Sequence, residues 1–344
     1  MPDNKKVLIK PNLMGQNRPE QHTVTHYALM DALCRMLSEH HCRILIGESS
    51  AFYQEGMTEK AFKTTRISEV AEKYNASLVP FEKEALVRID SGLKGLKELY
   101  IPKVLLDVDM VINACKLKTH AALRLSGALK NMFGCLPGGY KQKIHMWTRN
   151  EFELSEVFLD IHQIVKPAVS IMDAVYSLDG GPSAIGKPVK TSRIFASTNA
   201  AALDVAACRM IGYEPQDIST LICALNRKMI DSYKDIEILG SIAPIKFKHI
   251  NKEPFQTDRG KDSIFVTDTY ITPIIDISRC TACGRCIEIC PVKVISFRGD
   301  QVVINQKQCI NCYRCLYECP EKAIQVSSLA LNKFMRAVRK IMKI

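Results

Sequence analysis

Two copies of one cysteine pattern near the C-terminus constrain this chain more than any other feature. The first reads C-T-A-C-G-R-C-I-E-I-C-P from Cys280, and the second C-I-N-C-Y-R-C-L-Y-E-C-P from Cys309. Each is Cys-x2-Cys-x2-Cys-x3-Cys-Pro. At that spacing three thiolates of a tight loop wrap one iron–sulfur cubane, and the fourth cysteine reaches the cubane of the other loop. Cys280, Cys283, Cys286 and Cys319 are therefore expected to hold one [4Fe-4S] cluster, and Cys309, Cys312, Cys315 and Cys290 a second. The halves align without gaps over Asp276–Phe297 and Asn305–Val326, each with Cys-Pro-x-Lys-x-Ile, which marks an internal duplication. A zinc site would need only four ligands. A disulfide framework belongs to small secreted domains, and nothing here suggests secretion.

This segment resembles the bacterial two-cluster ferredoxins, a small α+β fold that carries single electrons. The resemblance names no reaction. With about 55 of 344 residues assigned to it, roughly 290 remain, enough for a substantial body with a packed core at ordinary apolar content. Six further cysteines (Cys34, Cys42, Cys115, Cys135, Cys208, Cys223) form no Cys-x-x-Cys pair. Free thiols beside oxygen-labile clusters suit a reducing cytoplasm and anaerobic metabolism. No apolar run reaches 18 residues, so no transmembrane segment is expected. The net charge of +11 is concentrated toward the C-terminus, where Lys333, Arg336, Arg339, Lys340 and Lys343 lie. No recognised nucleic-acid module accompanies it, and nucleic acid is not an expected partner.

The body alternates strand and helix. Val7–Lys10, Arg43–Gly47 and Ser77–Phe81 read as buried strands; His26–Glu39, with Thr25 as N-cap, and Ile67–Tyr74 read as helices. That order predicts an α/β fold, a mostly parallel sheet flanked by helices. Leu86–Ile89 and Glu98–Ile101 suggest a hairpin. A strand over Asp109–Ala114 runs into Cys115-Lys-Leu-Lys-Thr-His120, followed by a helix over about Leu123–Met132 and the segment Phe133-Gly-Cys-Leu-Pro-Gly-Gly-Tyr-Lys. Glu151–Val165 is amphipathic. Strands are expected at Val169–Asp173, Arg193–Ser197 and Asp235–Gly240, and helices at Ala200–Ile211 and Pro215–Arg227. The expected boundaries are a body over 1–245, a linker over 246–270, the two-cluster domain over 271–328 and a basic amphipathic helix over 329–344.

Several motifs occur in a recognisable order: Ile9-Lys-Pro-Asn12, Asn113-x-x-Lys116-Leu-Lys-Thr-His120, Lys130-Asn-Met-Phe-Gly, the Asp179-Gly-Gly-Pro loop, Ala201-Ala-Leu-Asp204 and Asp235-Ile-Glu-Ile-Leu-Gly240. Together they resemble the family named for domain of unknown function 362, which is often fused to a two-cluster ferredoxin. Relatives usually carry more residues before the first Lys-Pro-Asn, so this chain is a short version or lacks a first strand. The resemblance implies fold and company and almost no chemistry.

The chemistry must come from the residues. Lys10, Asn12, Lys116, Lys118 and His120 follow strands, where α/β sheets bind ligands, and two ammoniums with an imidazole suit a carboxylate or phosphate. Lys130, Asn131 and the glycine-rich stretch to Gly139 read as a loop able to close over that site, with His145 just beyond. Asp173, Asp179 and Asp204 are candidates to bind a divalent metal or to hold the lysines; Asp204 alternatively suits the first turn of its own helix. Cys115, Cys135, His120 and His145 match no standard metal spacing, and buried cysteines are commonly core. Gly181-x4-Gly186-Lys187 is not a phosphate loop, because Pro188 replaces the magnesium-binding hydroxyl. The terminal helix, with Leu331, Phe334, Met335, Val338, Ile341 and Met342 on one stripe, would pack on the protein or touch an anionic surface weakly. Two functions follow: an electron carrier serving a partner or site at the α/β domain, or a redox enzyme reducing a small anionic substrate in its cleft. No Gly-x-Gly-x-x-Gly fingerprint signals a flavin or nicotinamide.

Overall fold

In the computed structural model the described residues are 3–50, 55–120, 123–180, 186–240, 242–248 and 271–328. The body opens with β1 (Lys6–Lys10), α1 (Tyr27–Glu39), β2 (Arg43–Glu48), α2 (Met57–Thr64), α3 (Ile67–Lys73) and β3 (Ser77–Pro80). A separate antiparallel pair, β4 (Leu86–Ile89) and β5 (Leu99–Pro102), follows as the sequence suggests. Next come β6 (Met110–His120), β7 (Arg124–Ser126), α4 (Ala128–Asn131), α5 (Tyr140–Trp147) and α6 (Glu151–Val165). β8 (Val169–Asp179), β9 (Lys187–Ser197), α7 (Ala200–Met210) and α8 (Ser219–Asn226) complete the elements described before the cluster domain.

The sheet runs β3-β2-β1-β6-β8-β9, with the first five strands parallel, β9 antiparallel at the edge and β7 folded back on the end of β6. Strand alternation sorts its side chains into two cores. Val7, Ile9, Ile44, Ile46 and Ile112 pack with α1, α2 and α3. Leu8, Leu45, Val111, Cys115 and Leu117 face the core built with α4 to α8. Each such aliphatic side chain contributes about 1.5–3 kcal/mol on full burial. The mostly parallel α/β expectation holds, because apolar residues occur on both faces of the central strands.

From β1 the chain moves to β2 and β3 on one side of the sheet, then returns to place β6 and β8 on the other. The reversal point therefore lies between β1 and β6, where open α/β sheets bind ligands beyond the strand ends. β1 stops at Lys10, paired with Asn113, whereas β6 continues seven residues further to His120. Lys116 and Lys118 thus sit within a strand, not after one. The overhang is held by β7, by β8 and by Thr25, whose hydroxyl donates to the Ala114 carbonyl at 2.7 Å and accepts from Asn12 N. With Thr25 so engaged, His26 caps α1 instead, its ring accepting from Ala28 N.

Other expectations change similarly. The expected helix from Leu123 begins only at Ala128, because Arg124–Ser126 pairs with β6. Asp235–Gly240 forms no strand: Leu239 is 91% exposed, and Ile236 packs against the core without pairing to the sheet. The body reaches at least Lys248, since Phe247 is buried, Ile245 N donates to the Met210 carbonyl and Lys248 N to Asp179. The remaining linker, 249–270, and the terminal helix over 329–344 lie outside the described residues.

The C-terminal unit shows its duplication in its pairing. β10 (Ile271–Ile275) pairs with β13 (Ile324–Ser328), and β11 (Ile295–Arg298) with β12 (Gln301–Ile304). Ile275 faces Ile324 and, one repeat on, Ile304 faces Ile295. The repeats also match in helices, α9 (Arg285–Ile289) and α10 (Arg314–Tyr317).

Candidate functional site

The cysteines come together as their spacing requires. Cys280, Cys283, Cys286 and Cys319 line one cavity, closed by Ile275, Val302 and Ile324. Burial raises the Cys286 thiol, and neighbouring Cys280, Cys283 and Cys319 add to the rise. In the second group burial pushes Cys312 up to about 12, reinforced by Cys309 and Cys290. Cys315 is raised by burial and by Cys312, Cys309, Cys290 and, across the groups, Cys286. Each group thus takes its fourth thiol from the other repeat. Among the described residues no three metal-binding side chains converge as the ligands of one ion would. Thiolates at the corners of a cubane stand further apart than that, so this donor set fits two [4Fe-4S] clusters. None of the fourteen cysteines is in a disulfide.

The two cysteine loops meet different surroundings. Cys283 is exposed, whereas Cys309, Cys312 and Cys315 are buried. The inward loop docks on the start of α5. Gly139 N donates to the Asn311 carbonyl at 2.9 Å, and the Tyr313 ring lies flush on Gly138 and Gly139. A Cβ at Gly138 would come within 2.5 Å of that ring and one at Gly139 within 2.4 Å of its hydroxyl, so only glycine admits this approach. Around it, Lys143 Nζ donates to the Gln306 carbonyl, Gly56 N to the Tyr317 hydroxyl and Arg314 to the Lys83 carbonyl. The expected lid, Lys130 to Gly139, therefore has its Gly138–Gly139 end packed between body and cluster domain.

The same segment borders the basic residues on its other side. Gly138 N donates to Ser49 Oγ, and Lys141 Nζ donates to the Ser49 and Leu136 carbonyls. Ser49 N donates to Glu48, whose carboxylate also pairs with Lys10 at 2.7 Å; both pair members are buried. Gly134 passes so close that a Cβ would sit 2.1 Å from Glu48 Oε1 and 2.7 Å from Lys10 Nζ.

At the reversal point three asparagines knit β1, β6 and α4. Asn12 donates to Asn131 Oδ1, Asn131 to Asn113 Oδ1, and Asn113 to the Ala128 carbonyl and Ser170. Lys118 donates to Asn12 Oδ1 at 2.8 Å and to the Thr23 carbonyl at 3.0 Å, and touches Met14 sulfur. All these acceptors are neutral. The Lys130 ammonium makes no hydrogen bond or ion pair to any described residue, while its carbonyl accepts from Met132 N. Its charge, after burial, lowers His120 and His145, and Lys118 is held well below the usual lysine range by burial and by Lys130 and Lys116. Burial, then Lys10, lowers Lys130 itself to about 8. His145 falls to about 4 and stacks edge-on against Phe133; His120 accepts from Leu123 N. Lys10 and Lys118 are fully buried, while Lys130, His120 and His145 are partly exposed. The cluster therefore has a closed floor and a side that reaches solvent. Its lysines outnumber its carboxylates, an arrangement that favours an anion.

Lys116 belongs to a neighbouring pair. It meets Asp173 at 2.8 Å, and the same oxygen accepts from His26 N. Asp173 thus holds a lysine. Asp204 does not serve its own helix: from α7 it accepts from Ala128 N at 2.6 Å and Leu129 N at 3.0 Å, fixing the helix that carries Lys130 and Asn131. Burial raises it to about 7. Asp179 accepts from Lys248 N, and Cys115 and Cys135 are core residues. Sequence reasoning placed Lys10, Asn12, Lys116, Lys118 and His120 just past strands, Lys130 and Asn131 on a closing loop with His145 beyond it, and Asp173 as a metal ligand or a holder of lysines; the structure groups Lys10, Asn12, Lys118, His120, Lys130, Asn131 and His145, with Lys116 and Asp173 alongside. It missed Asn113, Lys141 and Tyr313 as connecting residues. Only Gly138-Gly139, directly before Tyr140-Lys141, hinted at a close backbone approach.

Among the described residues no helix is long and apolar enough to cross a membrane. The chain is 27% identical over 217 residues to a thylakoid-associated protein of Synechocystis sp., covering 63% of this chain and 66% of that protein. It thus spans just under two thirds of that relative's length. A solved apoprotein, the lactate racemase of Thermoanaerobacterium thermosaccharolyticum, aligns with a TM-score of 0.40 at 14% identity, over 61% of this chain and 49% of the racemase. A 4Fe-4S dicluster domain matches residues 272–323, which assigns iron–sulfur electron transfer to the C-terminal unit. The family described as Domain of unknown function (DUF362) matches residues 7–209, the span that builds the sheet and its basic site, and the chain belongs to that family.

Proposed function

We propose that this protein passes electrons between its two clusters and a small anion held at the reversal point of the α/β sheet. The observation that carries the reading is the segment Asn131–Lys141. On one side it supplies Asn131 and Gly134 to the basic site; on the other, Gly138 and Gly139 seat the inward cysteine loop. When bound, the clusters supply one-electron steps. Lys118 and Lys130 would hold the ligand's charge, and the Asn12–Asn131–Asn113 chain would fix their frame. His120 and His145, neutral at pH 7, would act as hydrogen-bonding groups, not as counter-charges. Asp204 positions α4 beneath them. Reducing surroundings are required for the thiolates, and we place the protein in the cytoplasm; the thylakoid-associated relative adds a membrane surface as a place of work.

The test is calorimetric titration with inorganic phosphate and with malonate under anaerobic conditions at pH 7. Lys118→Met and Lys130→Met should each weaken binding about 10- to 100-fold, the worth of a charge-assisted hydrogen bond, with iron content unchanged. Wild-type binding by both variants would remove the site.

Affinity should also depend on pH. A lysine lowered from its usual 10.5 to about 8 is charged only below that value, so binding should weaken as pH rises through 8. Lys10, Lys118, His120 and His145 are its charged and titratable neighbours. Lys130→Met should flatten much of the profile. Equal steps in wild type and variant would show that Lys130 does not carry it.

A further inference from the structure

The lysines around the reversal point are tied down, with one exception. Lys10 pairs with Glu48 and Lys116 with Asp173; Lys118 donates to Asn12 and the Thr23 carbonyl, and Lys141 to the Ser49 and Leu136 carbonyls. Lys130 alone among them has an ammonium with no acceptor in any described residue. No carboxylate acts on it, and its cationic neighbours are Lys10 and Lys118. Two imidazoles, His120 and His145, lie within reach of its charge, and both are neutral at pH 7. Nδ1 of His120 accepts from Leu123 N, so the ring proton sits on Nε2. Ser126 stands directly opposite Lys118 in the β6–β7 pair, on the same face, and its hydroxyl is buried without a partner. Such a hydroxyl is destabilising unless a ligand oxygen meets it. An ammonium that only holds charge gains from acceptors and carboxylates. One set among cations and neutral imidazoles is pushed toward the free amine, the form that attacks a carbonyl carbon.

We infer that Lys130 is a nucleophile that forms an imine with a small 2-oxo acid, whose carboxylate lies between Lys118 and Ser126. The proposal rests on the reading that this site holds a small anion, and it adds the ligand's second group, a carbonyl. Lys130 Nζ bonds to the carbonyl carbon as the carbon–oxygen double bond breaks. Of the three hydrogens on the ammonium, two leave with the carbonyl oxygen as water and one stays on the protonated imine, so atoms and charge balance. His145 takes the first departing proton from nitrogen, His120 Nε2 hands one to the leaving hydroxyl, and both rings end as they began. Asp204 fixes α4, which presents the nitrogen from a braced turn. Lowered to about 8, Lys130 is in part free amine at pH 7.

The experiment treats the full chain, with both clusters and without oxygen, with pyruvate and sodium cyanoborohydride, which delivers hydride to an imine carbon. Intact mass and peptide mapping locate the adduct, and calorimetry with phosphate and malonate is run on the same preparation. The expected result is one adduct per chain at Lys130, suppressed by malonate and not formed with lactate, which lacks the carbonyl. Lys130→Arg should keep the charge and bind phosphate, yet form no adduct. Labelling should quicken as pH rises through 8, opposite in sign to phosphate affinity; Lys10, Lys118, His120 and His145 share its surroundings and are unchanged in Lys130→Arg. His145→Gln should slow labelling roughly 100-fold, and an equal rate would strike His145 from the step. The proposal is overturned if Lys130 carries no adduct, or no more than the exposed Lys5. If phosphate and malonate still bind in that case, the imine alone has failed; if neither they nor pyruvate bind, the anion site has failed with it.

Discussion

Serine in place of Cys312 should reduce the iron content from about eight to about four per chain and loosen the junction between the cluster domain and the body. Cys312 is a ligand of the inward cluster by its spacing, and its thiol lies in the same apolar core as Leu129, Tyr140 and Phe158. The serine hydroxyl is a poor ligand for iron in a sulfide cube, and losing the cluster leaves the Asn311–Tyr313 loop without the framework that presses it onto Gly138 and Gly139. Cys283→Ser should cost the same amount of iron with a much smaller fall in melting temperature, because Cys283 is exposed and touches no part of the body in this way. Iron and sulfide analysis, EPR of the reduced protein and a thermal scan of each variant decide the matter. Two spin-coupled cubanes in Cys312→Ser would sink the ligand assignment; equal melting temperatures would remove the distinction between inward and outward loops.

The second large effect is expected from one methyl group. Gly134→Ala would place its Cβ in the space of the Glu48 carboxylate and the Lys10 ammonium, so the pair must separate or the 3-10 turn of Met132–Cys135 must shift. Disrupting a buried, hydrogen-bonded ion pair typically costs about 3–5 kcal/mol, since both charges stay buried and lose their compensation. The same displacement would move Ser49, which holds both Gly138 N and Lys141. Gly134→Ala should therefore lower the melting temperature by several degrees and abolish phosphate binding together. A variant that melts and binds as wild type does would show that the turn is free to give way.

Much of this was legible in the chain. The cysteine loops declared themselves because ligand spacing is set by the size of the cluster and does not depend on distant contacts. The parallel sheet followed from buried aliphatic runs such as Val7–Ile9 and Arg43–Gly47 alternating with helical periodicity. Boundaries set by tertiary contacts were not legible. Lys116 and Lys118 read as residues just past a strand because two lysines and a histidine lack strand character; β6 extends through them because β7, β8 and Thr25 satisfy its backbone. Asp204 looked like a residue of its own helix, and only the fold shows it capping α4 from 75 residues away in sequence. Asp235–Gly240 has the alternation of a strand but no partner on the sheet, whose edge is taken by β9. Tyr313 lies inside the cysteine motif, where nothing in the sequence indicates that its ring packs against two glycines of the body.

The most direct test is the midpoint potential of each cluster, followed by EPR at pH 7 in wild type and in Lys118→Met/Lys130→Met. Positive charge near a cluster stabilises its reduced form, which carries one more negative charge. Removing the charge of Lys130, protonated at pH 7, should lower the potential of one cluster by on the order of tens of millivolts, and leave the other nearly in place. Which cluster moves is then fixed by repeating the titration in Cys283→Ser, where the cluster that remains should be the one that responds. A shift confined to that inward cluster is the predicted result. If neither potential moves, or both move equally, the basic site is not electrically joined to the inward cluster, and electron transfer between them is contradicted.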